Sequence, residues 1–160
     1  MSDPAIALQA ALYDRLSSEL SVPVYDSVPM GTSYPYVTID SEQIKNISPI
    51  SGKKRARRYI YLSVWSDYKG RAEVRRISSE IEAALDERPL DLTSHIQLLV
   101  EPGEVPFVTA DGMEMSMSIL PAGQTVGRAV SVRVESMSSR RDADGVTYQG
   151  SVTLRVITQQ

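Results

Sequence analysis

The stretch RRYIYLSVWS, residues 57–66, constrains the fold more than any other part of the chain. In an extended backbone, successive side chains point to opposite faces. One face here is aromatic and the other aliphatic: Tyr59, Tyr61 and Trp65 against Ile60, Leu62 and Val64. Because both faces are bulky, the alternation predicts a central strand of a sheet that is covered on both sides.

A second strand precedes it. In YVTIDSEQI, residues 36–44, Val37 and Ile39 fall on one face. The polar stretch between the two strands contains Pro49 and Gly52, which are typical of a connection. The two strands are therefore predicted to form a long β-hairpin.

A further hairpin is predicted at the end of the chain. Two runs alternate apolar with polar side chains: Val130, Val132 and Val134, then Val152, Leu154 and Val156. The DADG between them can form a tight turn in which Gly145 adopts a positive φ.

Two segments have the helical period. The first helix carries Leu8, Leu12 and Leu16 on one stripe, with Asp3 as its predicted N-cap and Pro4 at its first position. The second helix, within residues 67–89, carries apolar residues at i, i+3, i+7, i+10 and i+11 and stops before a proline; these residues are Val74, Ile77, Ile81, Ala84 and Leu85, followed by Pro89.

A short extended piece at residues 21–29, broken by Pro23 and Pro29, precedes the two strands of the first hairpin. The order is therefore helix, three strands, helix, a segment of short β-like runs at residues 93–129, and two strands. Strands and helices do not alternate regularly, so the class is α+β: a mostly antiparallel sheet packed with two helices. Residues 93–129 are predicted to be an extra β hairpin or meander. The 160 residues are expected to form one domain.

The composition of the chain limits the class of protein and the compartment in which it is expected. The chain is 42% hydrophobic and 23% charged, which is ordinary for a globular protein. It has no cysteine, so disulfides and cysteine metal sites are excluded. Its first residues have no basic segment followed by an apolar run, so neither a signal peptide nor a membrane anchor is predicted. We expect a protein that is made in the cytoplasm and does not bind membranes.

The basic segment SGKKRARR, residues 51–58, is unusual in a chain with a net charge of −3. It contains five cations, Lys53, Lys54, Arg55, Arg57 and Arg58, without which the net charge would be −8. The acidic remainder would repel a polyanion at long range. The segment can be a solvated hairpin tip, a contact to phosphates, or a dock for an acidic partner, and the residues alone leave these alternatives open.

Catalytic and metal-binding patterns fail one by one. His95 is the one histidine and has no G-x-S-x-G nucleophile to serve. The phosphate-loop pattern around SGKK would need a glycine at Ile47 and a Ser or Thr at Lys54. DADG has too few ligands for a calcium loop, so a turn is the better interpretation. No catalytic, cofactor or metal site is predicted.

The aromatic residues near the basic segment have two interpretations. Tyr59, Tyr61, Trp65 and Tyr68 could form a platform on which nucleic acid bases stack beside cations. Alternating aromatics in a strand are more often core, and this interpretation is favoured.

Several short motifs occur together in a definite order. These are VYD at 24–26, VP at 28–29, PYV at 35–37, VWS at 64–66 and DADGVTYQG at 142–150. In this order and spacing they resemble the tail completion, or tail terminator, proteins of long-tailed phages and gene transfer agents. The resemblance covers residues 5–92 and 130–157. Residues 93–129 are longer than the corresponding link in that family.

The resemblance implies a structural virion protein, located at the head–tail junction and assembled in the host cytoplasm. Copies would form a ring, usually a hexamer, that caps the head-proximal end of the tail tube. The expected partners are the major tail tube protein and the head-completion or connector protein, and genomic DNA would pass through the lumen. No catalysis and no cofactor are expected.

Other functions stay open. The chain could be another neck or tail-tube component of the same particle, or a nucleic-acid-binding module using its 53–58 basic loop. The latter would bind DNA as a free monomer, for which we expect little affinity. We expect the loop to contact tail tube subunits or, less favoured, DNA in the lumen.

Overall fold

The computed structural model describes residues 4–52, 54–90, 92, 103–108, 114–119 and 128–159. In these residues the chain forms two helices and seven strands: α1 (Ala5–Glu19), β1 (Val24–Tyr25), β2 (Tyr36–Asn46), β3 (Arg55–Ser66), α2 (Ala72–Leu85), β4 (Gly103–Val108), β5 (Glu114–Ile119), β6 (Arg128–Arg141) and β7 (Tyr148–Gln159). The predicted α+β class is confirmed. No helix within the described ranges is long and apolar enough to cross a bilayer.

Five strands form the main sheet in the order β1-β2-β3-β7-β6. Among the described strands of this sheet, β1 and β2 pair in parallel and the other neighbours pair antiparallel, so the sheet is mostly antiparallel, as predicted. β3 is the central strand. β4 and β5 form a separate antiparallel pair inside the predicted insertion, most of which, with His95, lies outside the described residues.

The core lies between one face of this sheet and the two helices. Each predicted apolar stripe is buried there, including Leu8, Leu12 and Leu16 of α1 and Ile77 and Ile81 of α2. The sheet contributes alternate residues from its strands, namely Val37, Ile39, Ile60, Leu62, Val64, Val132, Val152, Leu154 and Val156. Burying one such side chain contributes about 1.5–3 kcal/mol, so this layer stabilises most of the fold.

The opposite face of the sheet, which we call the helix-free face, differs from the prediction. Tyr59 and Trp65 are half-buried and Tyr61 is 36% exposed, so the described residues do not cover β3 fully on this side. Tyrosine and tryptophan tolerate this position because their rings are apolar and their polar tips can meet water. The same property makes aromatic residues a poor sign of full burial.

Two glycines and a proline set the geometry of the connections. Gly145 has a φ of 70°, which confirms the predicted turn between β6 and β7. A Cβ on Gly150 of β7 would lie 2.5 Å from Cγ1 of Val74, so glycine allows α2 to approach the sheet closely. Pro4 occupies the N-cap position of α1, so the helix begins one residue later than predicted, and Asp3 lies outside the described residues.

Candidate assembly surfaces

The predicted basic loop is shorter than its sequence suggested. β3 begins at Arg55, so the connection from β2 spans residues 47–54. Its base is closed by Ser48, whose Oγ accepts from the Arg55 amide at 2.9 Å. Of the basic residues, Lys54 lies in this connection and is exposed, whereas Lys53 lies outside the described residues.

Arg58 is not a surface cation at all. It is 3% exposed on the helix-covered face of β3. Its Nη1 lies 2.7 Å from Oε1 of Glu42, and its Nε donates to Oγ1 of Thr158 at 3.3 Å. Grouping Arg58 with the loop was therefore wrong, because its position in the strand turns it inward beside a carboxylate on β2.

Arg55 and Arg57 lie on the helix-free face, where other strands add cations. The β2–β3 register places Lys45 opposite Arg57, and the β3–β7–β6 register places Arg155 opposite Tyr59 and Arg133 opposite Arg155. We call Lys45, Arg55, Arg57, Arg133 and Arg155 the basic face. Sequence reasoning missed three of these, since only the register brings distant strands together.

The cations of the basic face differ in their partners. Arg133 pairs with Glu87 at 2.5 Å, and Arg55 donates to Gln159 at 3.1 Å. Lys45, Arg57 and Arg155 make no ion pair with any described residue, and Nε of Arg57 is buried without a described hydrogen-bond partner. Like charges directly opposite one another destabilise a sheet, so Lys45 and Arg57, and likewise Arg133 and Arg155, repel each other where the register pairs them.

A polar network holds the centre of the helix-free face. Arg140 donates to Gln149 at 2.7 Å, and Gln149 donates to Ser63 at 3.1 Å. Asp40 then accepts from Ser63 at 2.5 Å and from the Thr38 hydroxyl at 2.6 Å. This chain of bonds crosses β6, β7, β3 and β2, so the face is a rigid, polar surface.

The two ends of the sheet are unlike. β1 pairs with β2 only at Val37 and Thr38, so residues 40–46 of β2 have no outer strand among the described residues. At the other end, Asp86 and Glu87 bond to β6 at Val134 and Val132, and residues 135–141 have no outer strand in the described chain. We call these stretches the β2 edge and the β6 edge.

A cleft lies beside the β2 edge. It has a volume of about 120 Å³ and is lined by Leu8, Gln9 and Leu12 of α1 and by Ile39, Glu42 and Ile60 of the sheet. Met137 on the β6 edge is 43% exposed and lies opposite buried Val152, hence on the same helix-covered face as the cleft. The subunit thus carries a protruding apolar side chain on one edge and an opening beside the other.

α1 has a second apolar stripe. Ile6, Ala10 and Tyr13 recur at i, i+4 and i+7 on the side opposite its buried leucines, and Ile6 and Tyr13 are exposed. On α2 the corresponding side carries Arg75 and Glu82, both exposed. Within the described residues no cluster of His, Cys, Asp and Glu could hold a metal ion.

A model of the family described as tail completion protein gp17 matches residues 6–101. The chain belongs to that family. This tail completion protein is therefore a structural protein of a phage-type tail. A solved structure from the virion of a native gene transfer agent particle has the same fold, with a TM-score of 0.67 and 21% identity over 100% of both chains. No curated protein matches the sequence significantly.

The motifs that link this tail completion protein to its family hold the fold together. The VYD and PYV motifs lie side by side. The amide of Val37 in PYV donates to the carbonyl of Pro23, just before VYD, at 3.0 Å, and this bond anchors β1 to β2. Tyr36 stacks on Tyr34 with ring centroids 5.3 Å apart and meets Tyr25 edge-on at 6.0 Å. Burial raises the pKa of Tyr36, and the neighbouring Tyr34 adds to the effect.

The last motif forms the turn between β6 and β7. The carboxylate of Asp144 accepts from the Thr147 hydroxyl, from the Thr147 amide at 2.8 Å and from the Val146 amide at 2.9 Å. These hydrogen bonds, chiefly those from Thr147, lower the pKa of Asp144. The carboxylate therefore serves the turn, which agrees with the turn interpretation of DADG.

Proposed function

We propose that copies of this tail completion protein form a closed ring that caps the head-proximal end of the tail tube. The ring ends tube polymerisation and joins the tail to the head connector, and six subunits are expected from the resemblance to tail terminators. The observation that carries the proposal is the pair of unlike edges on one sheet. The protein then acts at the head–tail junction by its shape.

Unlike edges are what a ring requires. A contact between two different surfaces of identical subunits repeats from one copy to the next, and it ends only where the rotation closes. Three antiparallel pairings, β2–β3, β3–β7 and β7–β6, lie between β2 and β6. β2 and β6 therefore run in opposite directions in the sheet. The β6 edge of one copy can therefore continue the sheet of the next as an antiparallel neighbour.

Met137 provides an apolar anchor for that contact. When the two edges lie side by side, its side chain is on the face into which the cleft opens. An unbranched thioether side chain adapts to an irregular opening lined by leucines and isoleucines. The open edge supplies backbone hydrogen bonds, and the cleft supplies a defined position.

The tip of the β2–β3 hairpin is proposed to contact the major tail tube protein. Ile50 is fully exposed in this connection and Lys54, four residues later, is also exposed, so the connection offers both an apolar side chain and a cation. Such a combination suits a partly acidic protein surface better than DNA. Arg58 takes no part in this contact, and Arg55 and Arg57 belong to the basic face.

The ring is tested by complementing a deletion of the gene with Met137→Asp. A charge at the cleft should block the subunit contact, so we expect tails of irregular length that do not join heads under the electron microscope. Val146→Asp, the same change at a more exposed apolar residue in the β6–β7 turn, should restore tails of normal length. Normal infectious particles from Met137→Asp would refute the proposed contact.

The deletion strain itself separates the alternatives. Loss of a terminator leaves tubes that grow without control, whereas loss of a tube component leaves no tubes. Loss of another neck component leaves tubes of normal length that stay unattached. Long, unattached tubes are the result that we expect.

The hairpin tip is tested by replacing Lys53 and Lys54 with serine. Changing all five basic residues of the segment 51–58 would also remove the ion pair between Arg58 and Glu42. A docking defect could then not be distinguished from a loss of stability. We expect tails that assemble but join heads less often, in a burst assay. The control is Lys69→Ser together with Arg71→Ser, which removes the same charge from an exposed region elsewhere. Equal defects in both pairs would contradict a specific contact at the tip.

A further inference from the structure

The basic face concentrates charge that the rest of the chain opposes. It holds five cations on four strands, whereas the whole chain has a net charge of −3, which leaves −8 for everything else. Asp40 lies at the irregularity between Ile39 and Ser41, and its carboxylate accepts from Thr38 and Ser63 of the helix-free face, so it is already occupied. Glu87 neutralises Arg133, whereas the other four cations of the basic face make no ion pair with any described residue, so a local positive field remains.

The spacing of these cations suits a polymer of phosphates. Neighbouring strands lie about 4.8 Å apart and alternate residues along a strand about 6.7 Å apart. Lys45, Arg57, Arg155 and Arg133 thus occupy two adjacent rows across about 14 Å of the sheet. A DNA duplex presents one charge for about every 1.7 Å of its axis, so several phosphates come within reach of this area.

We propose that the basic face binds the phosphodiester backbone of duplex DNA. The neighbouring side chains are hydroxyls and amides, including Ser41, Gln43 and Thr153, which donate to phosphate oxygens without reading sequence. Among the described residues, Tyr61 is the one large apolar side chain that is exposed on this face. An acidic protein partner would need more apolar anchors at the centre of the contact.

Duplex fits better than a single strand. Base stacking needs open aromatic faces. Tyr59 and Trp65 are half-buried, and the hydroxyl of Tyr61 lies 3.5 Å from the Gln43 side chain, which draws the ring toward the sheet. The face thus offers charge and hydrogen bonds more than stacking surface. Binding by one subunit is weak because the remaining surface is acidic, and a ring would multiply it.

The test measures fluorescence anisotropy of a labelled 30-base-pair duplex with the purified chain as salt is varied. The wild type should bind at low salt and weaken steeply as salt rises. Lys45→Ser with Arg155→Ser should lower affinity about tenfold or more and reduce the salt slope by about 2. Arg71→Ser with Arg75→Ser removes the same charge from the start of α2, of which Arg71 is the N-cap, and should change affinity less than twofold.

Three results would overturn the proposal. These are equal losses in the two double variants, tighter binding to a single strand of the same length, and equal binding to polyglutamate as to duplex. Circular dichroism melting of each variant separates loss of binding from loss of fold. The assay uses purified chain and does not depend on tube capping, so a normal tail phenotype with lost DNA binding leaves the ring proposal intact.

Discussion

The two faces of the sheet use neighbouring residues for opposite purposes. On the helix-covered face, Leu62, Leu154 and Val156 are buried in a continuous apolar layer. On the helix-free face, hydroxyls, amides and cations predominate, and the one extended network is polar. Arg57 and Arg58 are adjacent in the chain, yet Arg57 belongs to the second face and Arg58 to the first.

This difference teaches how a run of like residues should be interpreted. A cluster of cations in the sequence is not a cluster in space when it enters a strand, because the strand sends alternate residues to opposite sides. Arg58 becomes part of the interior, whereas Arg57 joins cations from three other strands. The helix-covered face stabilises the subunit, and the other surface is left for partners.

The largest expected effect lies in the helix-covered layer. Leu154 is completely buried at the centre of β7, so Leu154→Ala removes contacts and leaves a cavity. We expect the free energy of unfolding to fall by about 4 kcal/mol. Thr153→Ala, one residue away on the helix-free face, is the control and should change it by less than about 0.5 kcal/mol. Equal losses in urea denaturation would mean that both faces are packed alike.

The adjacent arginines give the sharpest form of the comparison. Arg58→Ala removes a buried side chain together with its bonds to Glu42 and Thr158, and the cavity that it leaves should cost about 2–3 kcal/mol. Arg58→Met, which fills the space without a charge, should recover most of that loss when tested with Glu42→Gln. Arg57→Ala should lie within about 0.5 kcal/mol of the wild type because it also relieves repulsion from Lys45. Similar losses at both positions would contradict the two roles.

The distance between α2 and the sheet is tested at Gly150. An added Cβ would lie 2.5 Å from Val74, whose branched side chain cannot move away without shifting the helix. Gly150→Ala should therefore destabilise by about 2 kcal/mol. Combining it with Val74→Ala should restore part of the stability, since the clash is removed. Failure of this pair to interact in a double-mutant cycle would place the cause elsewhere.

The smallest expected effect concerns the turn between β6 and β7. This turn sets the register of the two strands, and the register determines which of their side chains lie on each face of the sheet. Asp144→Ala removes the acceptor for Thr147 and Val146 and should lower the melting temperature slightly. The folded pKa of Asp144 lies below the ordinary value of about 3.9, so its contribution is present above that value. It is lost as pH falls through the folded pKa. The difference between wild type and variant should thus shrink below about pH 4 in thermal melts.

The sequence predicted the helix-covered face well. Period 3.6 in Val74, Ile77 and Ile81 and period 2 in Val152 and Leu154 reflect burial against one neighbouring layer, and burial is what these patterns encode. The turn at Gly145 could also be predicted from the sequence, because a positive φ favours glycine.

The candidate surfaces were predicted less well, for a physical reason. Lys45, Arg133 and Arg155 are unremarkable in their own segments, and only the hydrogen-bonded register brings them beside Arg57. The open edges depend on which strand ends the sheet, which local patterns do not specify. The burial of Arg58 needed the position of Glu42 on another strand.

The unlike edges of the sheet have one more consequence if copies join as proposed. A subunit with a defective β6 edge keeps its β2 edge, so it can accept one neighbour and offer nothing to the next. Such subunits would therefore act as dominant-negative inhibitors of ring assembly, even when they are a minority of the pool. Producing Met137→Asp in a strain that retains the normal gene should therefore lower the yield of infectious particles out of proportion to its share of the pool, and a yield that falls only in proportion would count against a chain of unlike contacts.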